Sequence, residues 1–89
     1  MELTIGTRIY NHGDRANPSH FGTITKIHKH DLFVDQYEIT PDTERKPYSV
    51  PLCGFSAEFK GHSGTRIVTE TEYYRWRESL SLTSAPAGK

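Results

Sequence analysis

The sequence predicts one small all-β domain, a five-stranded barrel followed by one C-terminal helix. Short runs of alternating apolar and polar residues are separated by clusters of turn-forming residues, a pattern typical of half-buried strands in a small barrel. Thr69, with Glu72 three residues later, forms a motif that begins many helices. At 89 residues the chain has room for a single domain. We place it at residues 1–82 and predict a flexible tail at residues 83–89.

The composition narrows the class of function. Eleven basic and eleven acidic side chains cancel, so no net charge draws the chain to nucleic acid or to an anionic membrane. The cancellation is uneven, because residues 31–58 hold six acidic side chains and only two basic ones, Arg45 and Lys46. The single cysteine, Cys53, excludes an internal disulfide. Since the sequence shows no long apolar run and no signal peptide, we expect a soluble cytoplasmic protein that does not enter a membrane.

The predicted strands follow one another along the chain. The first spans residues 6–10 and the second residues 21–28, with a bulge near Thr25 and Lys26 because the two isoleucines there are three residues apart. Three more strands are predicted at residues 32–39, 46–51 and 66–68. Glycine, proline and asparagine predict connections at residues 11–20, 40–43 and 52–64. A single turn of helix is expected within the last of these, near residues 55–59.

One longer helix is predicted after the last strand. Thr69 is a favourable N-cap residue, and the helix is expected over residues 70–81. Tyr73, Trp76 and Leu80 recur at helical spacing and form the stripe that docks on the barrel. The predicted core combines one helix residue with the apolar strand residues, namely Ile5, Ile9, Ile24, Ile27, Phe33, Tyr37, Ile39, Val50, Ile67, Val68 and Trp76.

Four short motifs carry a resemblance to a known group of folds. They are Gly6-Thr7-Arg8-Ile9-Tyr10, Gly22-Thr23-Ile24-Thr25-Lys26-Ile27, Tyr37-Glu38-Ile39 and Tyr48-Ser49-Val50-Pro51. Together they resemble the SH3-like barrel group, which includes Tudor-type and KOW-type modules. The resemblance covers residues 5–51 and implies a fold rather than an activity. The helix after Thr69 departs from the minimal module, and it either caps one end of the barrel or forms a dimer face.

A nucleic-acid-binding surface is the first functional interpretation. Arg8, Tyr10, Lys26, His28 and Lys29 come from two adjacent predicted strands. Basic side chains beside an aromatic ring suit phosphate contact combined with base stacking. The alternative is that Tyr10 packs on the barrel wall and the lysines protect a strand edge. We predict a small non-enzymatic binding module that contacts nucleic acid through this face.

A protein–protein adaptor or inhibitor is the second interpretation. It would act through the aromatic-rich helix or through the groove between the long loops. Tyr74 lies about 100° around the helix from Tyr73, so an aromatic surface remains after the helix docks. This surface predicts a homodimer contact, because aromatic and arginine side chains are enriched at interfaces. The predicted interface residues are Tyr74, Arg75, Arg77 and Glu78.

No residue set predicts catalysis. A nucleophile needs a base and an orienting group, and Cys53 with His62 lacks the third member. His28 and His30 stand at alternate positions that could share a metal ion, with a third ligand from His12, His20 or Asp31. The pair is more typical of a strand end that changes charge with pH. We therefore predict no enzyme, no catalytic residue, no cofactor and no metal.

Overall fold

The computed structural model describes residues 3–13, 17–29, 32–59, 61 and 67–84. The strands are β1 (Arg8–Asn11), β2 (His20–His28), β3 (Gln36–Pro41), β4 (Tyr48–Pro51) and β5 (Ile67–Thr69), and a short 3₁₀ turn covers Leu52–Gly54. The helix α1 (Glu70–Ser84) follows β5 directly. The predicted fold class is confirmed, because five antiparallel strands curl into a half-barrel and one C-terminal helix packs beside it.

The five strands form one sheet in the order β4-β3-β2-β1-β5. The register between β2 and β3 shifts between Ile24 and Lys26, which confirms the predicted bulge. Beyond the 3₁₀ turn the chain reaches β5, where Phe55 forms a parallel bridge with Ile67. The amide of Ser56 donates a hydrogen bond to the Ile67 carbonyl over 2.7 Å. This bridge links the chain that follows β4 to the far edge of the sheet.

The topology gives the half-barrel two distinct ends. At one end β1 and β3 finish and β2 and β4 begin. We call it the loop end, and it is built from residues 12–13, 17–19 and 42–47. At the opposite end β2 and β4 finish and β1 and β3 begin, so the connection that includes residues 32–35 lies there.

The core consists of two layers, one on each side of the sheet. The inner layer lies in the concavity of the half-barrel and contains Ile9, Ile24, Tyr37, Ile39, Phe55 and Ile67. The outer layer lies between the sheet and α1 and contains Tyr10, Phe59 and Val68, with Phe21, Tyr73 and Trp76 packed against it. Ile9 and Tyr10 are neighbours on β1 and are both buried. Both faces of β1 are therefore covered.

The predicted core is correct for most strand residues and wrong at two positions. Ile5 is 66% exposed and Phe33 is 75% exposed. Ile5 lies in a turn closed by a hydrogen bond from the Thr7 amide to the Thr4 carbonyl. Phe33 lies outside the sheet because β3 begins at Gln36 and not at residue 32. The core residues that the sequence analysis missed are Tyr10, Phe55 and Phe59.

The helix begins where the sequence predicts and ends later. The Glu72 amide donates a hydrogen bond to Thr69 Oγ1 over 3.2 Å, which confirms the predicted cap. The helix continues to Ser84, and the rest of the predicted tail, residues 85–89, lies outside the described residues. Leu80 was expected to dock with Tyr73 and Trp76 but is 46% exposed.

The short helical turn and the last two strands also depart from their predicted bounds. The turn occupies Leu52–Gly54 rather than residues 55–59. The fourth strand begins two residues later than predicted, and the fifth runs from Ile67 to Thr69. No helix in the described ranges has both the length and the apolar character needed to cross a bilayer.

Candidate functional site

Arg8, the first residue of the predicted nucleic-acid face, is held by two carboxylates. Its Nη2 lies 2.6 Å from Asp42 Oδ2 and 3.1 Å from Glu70 Oε2. Hydrogen bonding to Asp42 raises the pKa of Arg8, and the same bond lowers the pKa of the Asp42 carboxyl. The guanidinium charge is therefore compensated within the chain.

The other members of this face are placed in the same way. Lys29 Nζ lies 3.6 Å from Asp35 Oδ2, and His28 Nε2 lies 3.6 Å from Glu38 Oε1. Lys26 is exposed and pairs in register with Glu38 across the sheet. With Arg8 included, the four basic side chains of this face thus stand among four carboxylates, namely Asp35, Glu38, Asp42 and Glu70. Nucleic-acid binding by this face stays a prediction.

Tyr10 lies on the helix-covered side of the sheet rather than at the surface. It is 7% exposed, and its ring stacks on Tyr73 with centroids 3.8 Å apart. Burial raises the pKa of its hydroxyl. The ring is therefore part of the outer core layer in the free protein.

The predicted interface residues lie on α1. Tyr74 is 55% exposed and stacks on Phe21 at 5.8 Å between ring centroids. Arg75 pairs with Glu72 at 3.1 Å. Arg77 donates a hydrogen bond to the Tyr73 hydroxyl over 3.0 Å, which raises the pKa of Arg77.

Three of these four interface residues share a surface. A shallow depression on the outer side of the helix is lined by Thr71, Tyr74, Arg75 and Glu78. Arg77 turns instead toward Tyr73. Dimerisation through this side of the helix stays a prediction.

A second surface feature is an exposed apolar patch at the end opposite the loop end. Most of the exposed large apolar side chains precede β1, follow β4 or lie between β2 and β3. These residues, which we call the apolar end, are Ile5, Leu32, Phe33, Val34 and Leu52.

The loop end holds a cleft of about 850 Å³, which we call the loop-end cleft. Its volume lies in the range typical of ligand-binding pockets. Its floor is formed by apolar residues of the edge strands β4 and β5, and its polar walls come from the ends of β1, β2 and β4 and from the β1–β2 and β3–β4 connections. The polar lining residues are Asn11, Asn17, His20, Arg45, Lys46 and Tyr48. The remaining lining residues are Gly13, Pro47, Val50, Gly54 and Ile67.

A chain of hydrogen bonds fixes one wall of the loop-end cleft. His20 Nδ1 lies 3.1 Å from the Pro18 carbonyl oxygen, which only accepts hydrogen bonds, so Nδ1 carries the proton. In the neutral ring Nε2 then accepts from the Tyr48 hydroxyl, 2.7 Å away. The Tyr48 oxygen accepts from Asn11 Nδ2 over 3.1 Å, and Asn11 Oδ1 accepts from the Gly13 amide over 2.8 Å. Each polar atom in this chain of bonds has a defined role.

Arg45 differs from the other polar residues of the cleft because one of its nitrogens lacks a partner. Nη2 donates a hydrogen bond to Asn17 Oδ1 over 2.7 Å, a contact that ties the two connections together. Nη1 is buried and has no hydrogen-bond partner among the described residues. Burial raises the pKa of the Tyr48 hydroxyl, and the nearby Arg45 charge partly opposes that rise. The Arg45 guanidinium therefore acts electrostatically on the Tyr48 hydroxyl, which lines the same cleft.

The sequence analysis did not identify this group of residues. Asn11 and His20 stood in a predicted loop, and Tyr48 was assigned only to a strand. The one available signal was Arg45 with Lys46, the two basic residues of an otherwise acidic segment. The described residues that line the cleft include these two cations and no carboxylate.

The metal and nucleophile candidates gain no support from geometry. No group of three or more His, Cys, Asp or Glu side chains is placed to hold a metal ion among the described residues. Cys53 is exposed. His30 and His62, the second members of the two pairs that the sequence singled out, lie outside the described residues.

Comparison with known proteins identifies no relative. No protein-family model, no curated protein and no solved structure matches this chain. The function is therefore inferred from the chain's own residues.

Proposed function

We propose that this chain is a small non-enzymatic binding module of SH3-like type. It acts as a protein–protein adaptor that takes a carboxylate of a partner polypeptide in the loop-end cleft. The observation that carries the proposal is the buried Arg45 Nη1, which has no hydrogen-bond partner among the described residues. The chain has a single cysteine, and this favours a reducing cytoplasm as the location of the protein.

The energetic cost of this nitrogen supports a ligand. A buried donor without a partner costs about 1–3 kcal/mol, and more when it belongs to a charged group. Native structures leave few such groups, and each one calls for a reason. A carboxylate is the best reason here, because it accepts strong charge-assisted hydrogen bonds from a guanidinium. No described lining residue supplies one.

The shape and charge of the cleft favour a protein partner over a nucleic acid. The cleft is concave, and among the described residues that line it Arg45 and Lys46 are the only Lys or Arg side chains. Two phosphate contacts change nucleic-acid affinity only about tenfold between 50 and 200 mM salt, so they supply little binding. Three of the four basic residues on the predicted nucleic-acid face, Arg8, His28 and Lys29, are ion-paired within the chain, so that face offers little uncompensated positive charge.

The test is fluorescence anisotropy with a labelled six-residue peptide that carries two glutamates, two C-terminal leucines and a free C-terminus. The control peptide has glutamine for glutamate and an amidated C-terminus. We expect saturable binding of the first peptide only. Arg45→Met should weaken it at least about tenfold, the typical effect of a lost charge-assisted hydrogen bond. Arg75→Met is the matched control on α1 and should leave the affinity unchanged.

The same assay contains the outcomes that would overturn the proposal. Equal binding of both peptides, or equal losses for the two arginine variants, would remove the cleft as a carboxylate site. Binding of a single-stranded DNA 12-mer that falls steeply with salt and is lost in Lys26→Met and Lys29→Met would assign the function to the strand face instead.

A further inference from the structure

We infer that the carboxylate recognised by the loop-end cleft is the C-terminal carboxylate of a polypeptide whose last residue is apolar. This inference rests on the proposed function and makes it more specific. It follows from three features of the cleft. These are the hydrogen-bond donors that are not used within the chain, the apolar lining of the floor, and the distance between the polar wall and that floor.

The donors of the cleft are nearly all used within the chain. Asn11 Nδ2 donates to the Tyr48 oxygen, and the Tyr48 hydroxyl donates to His20 Nε2. His20 Nδ1 donates to the Pro18 carbonyl. Arg45 Nη2 is bonded to Asn17. Arg45 Nη1 is buried without a hydrogen-bond partner among the described residues, and the Lys46 side chain is exposed beside it in the cleft lining. Two cationic donors suit the two oxygens of a carboxylate better than the three oxygens of a phosphoryl group.

Nη1 is closed to water in the free protein. An anion therefore reaches it when the half-buried Arg45 side chain turns into the cleft. The Nη2 bond to Asn17 Oδ1 is made by the same guanidinium, so the rotation changes that bond as it exposes Nη1. The free energy gained when Nη1 acquires a hydrogen-bond partner favours this rotation of the Arg45 side chain.

The floor of the cleft is apolar. Val50 of β4 and Ile67 of β5 line the cleft there, together with Pro47. Ile67 belongs to the inner core layer, and Val50 packs against that layer. An apolar group that enters the cleft therefore extends the core of the half-barrel, and its burial is favourable.

The distance between the charged mouth and the apolar floor matches one residue of a ligand. Tyr48 lies at the polar wall and Val50 at the floor, two residues apart along β4. Strand geometry puts about 7 Å between them. Arg45 lines the same cleft and acts electrostatically on Tyr48, so a carboxylate held beside that wall leaves room for the side chain of the same residue to reach Val50. A chain-terminal residue carries both groups on one α-carbon.

The same chemistry, a carboxylate on a short apolar body, also occurs in free alkyl acids. The experiment therefore compares four small probes with the full chain by ¹H–¹⁵N NMR titration. The probes are N-acetyl-leucine, N-acetyl-leucine amide, N-acetylglycine and hexanoate. We expect N-acetyl-leucine to bind tightest and to shift the amide signals of Gly13, Val50 and Ile67. Each buried methylene is worth about 0.8 kcal/mol, or about fourfold, so N-acetylglycine should bind at least tenfold more weakly.

Two variants separate the roles of the mouth and the floor. Val50→Thr keeps the volume of the side chain and makes the floor polar, so it should reduce the preference for leucine over glycine. Val34→Thr places the same change at the apolar end and should leave that preference unchanged. Trp76 fluorescence during urea unfolding checks that both variants fold.

The inference and the proposed function fail in different ways. Equal binding of N-acetyl-leucine and its amide overturns the terminal carboxylate, while the glutamate peptide can still bind through Arg45. Equal binding of hexanoate and N-acetyl-leucine overturns the polypeptide terminus and assigns the cleft to small alkyl acids. A leucine preference that survives Val50→Thr overturns the role of the floor.

Discussion

Removal of the Tyr48 hydroxyl is the most direct perturbation of the hydrogen-bond chain in the cleft. In Tyr48→Phe, His20 Nε2 loses its donor and Asn11 Nδ2 loses its acceptor. His20 is 6% exposed, so water does not replace the lost partner, and a buried unsatisfied acceptor costs about 1–3 kcal/mol. Asn11 is half-buried at the cleft and its amide regains water. We therefore expect a loss of about 2–3 kcal/mol in the free energy of unfolding.

Urea unfolding followed by the fluorescence of Trp76, the single tryptophan, measures this loss. The midpoint should fall while the dependence on urea stays the same, since the change does not alter the surface exposed on unfolding. Tyr74→Phe is the matched control, because Tyr74 is 55% exposed. A substitution at such a surface position should change stability by less than about 0.5 kcal/mol.

A double-mutant cycle makes the reasoning refutable. Replacement of both partners of a hydrogen bond by apolar groups is close to neutral, whereas replacement of one is costly. His20→Leu with Tyr48→Phe should therefore be less destabilising than the sum of the single variants by at least about 1 kcal/mol. Additive effects, or a Tyr48→Phe loss below about 0.5 kcal/mol, would show that the hydroxyl does not satisfy His20.

Two further measurements test the core and the ion pair. Phe59→Ala should cost about 3–5 kcal/mol in urea unfolding, whereas Phe33→Ala should cost less than about 0.5 kcal/mol, because Phe59 is buried and Phe33 is exposed; similar losses would refute the revised core. Bonding to Arg8 lowers the pKa of Asp42, so its contribution to stability is complete above the unfolded pKa of about 4 and is lost as pH falls below it. Urea midpoints between pH 6 and pH 2 should fall less in Asp42→Asn than in the parent, and the exposed control Glu44→Gln should follow the parent.

Features that depend on local sequence were predicted correctly. The bulge near Thr25 follows from isoleucine spacing on one strand, and it appears as a register shift between Ile24 and Lys26. The helix start follows from the side chain of Thr69, which caps the amide of Glu72. Each feature is decided within about four residues of chain. No distant contact is needed to produce it.

Features that depend on distant contacts were not predictable in the same way. Alternation on β1 shows that Ile9 and Tyr10 face opposite sides of the sheet, but not whether both sides are covered. The helix settles that question, because Tyr73 stacks on Tyr10 at 3.8 Å. Phe33 shows the opposite error. Its spacing from Tyr37 and Ile39 predicts a core position, but β3 begins only at Gln36, so Phe33 precedes the paired strand and is exposed.

The loop-end cleft was hidden for the same reason, because its residues meet only through sheet register. Asn11 and His20 are direct partners between β1 and β2, and Tyr48 enters from β4, two strands away in the sheet. The hydrogen bonds of Tyr48 to Asn11 and His20 form only after strands distant in sequence have paired. A pattern search along the chain does not bring these three residues together.

The placement of Arg45 argues against a purely structural role. Two carboxylates, Asp42 and Glu44, precede it within three residues. In the β3–β4 connection either of them is close enough in sequence to pair with the Arg45 guanidinium. Asp42 instead binds Arg8, and Arg45 bonds to the neutral amide of Asn17 and forms no ion pair with any described residue. A fold that only needed to tie its two connections together would gain more from a fully bonded guanidinium, because a buried donor nitrogen without a partner is costly. A guanidinium that has no ion pair among the described residues is what a ligand carboxylate would neutralise.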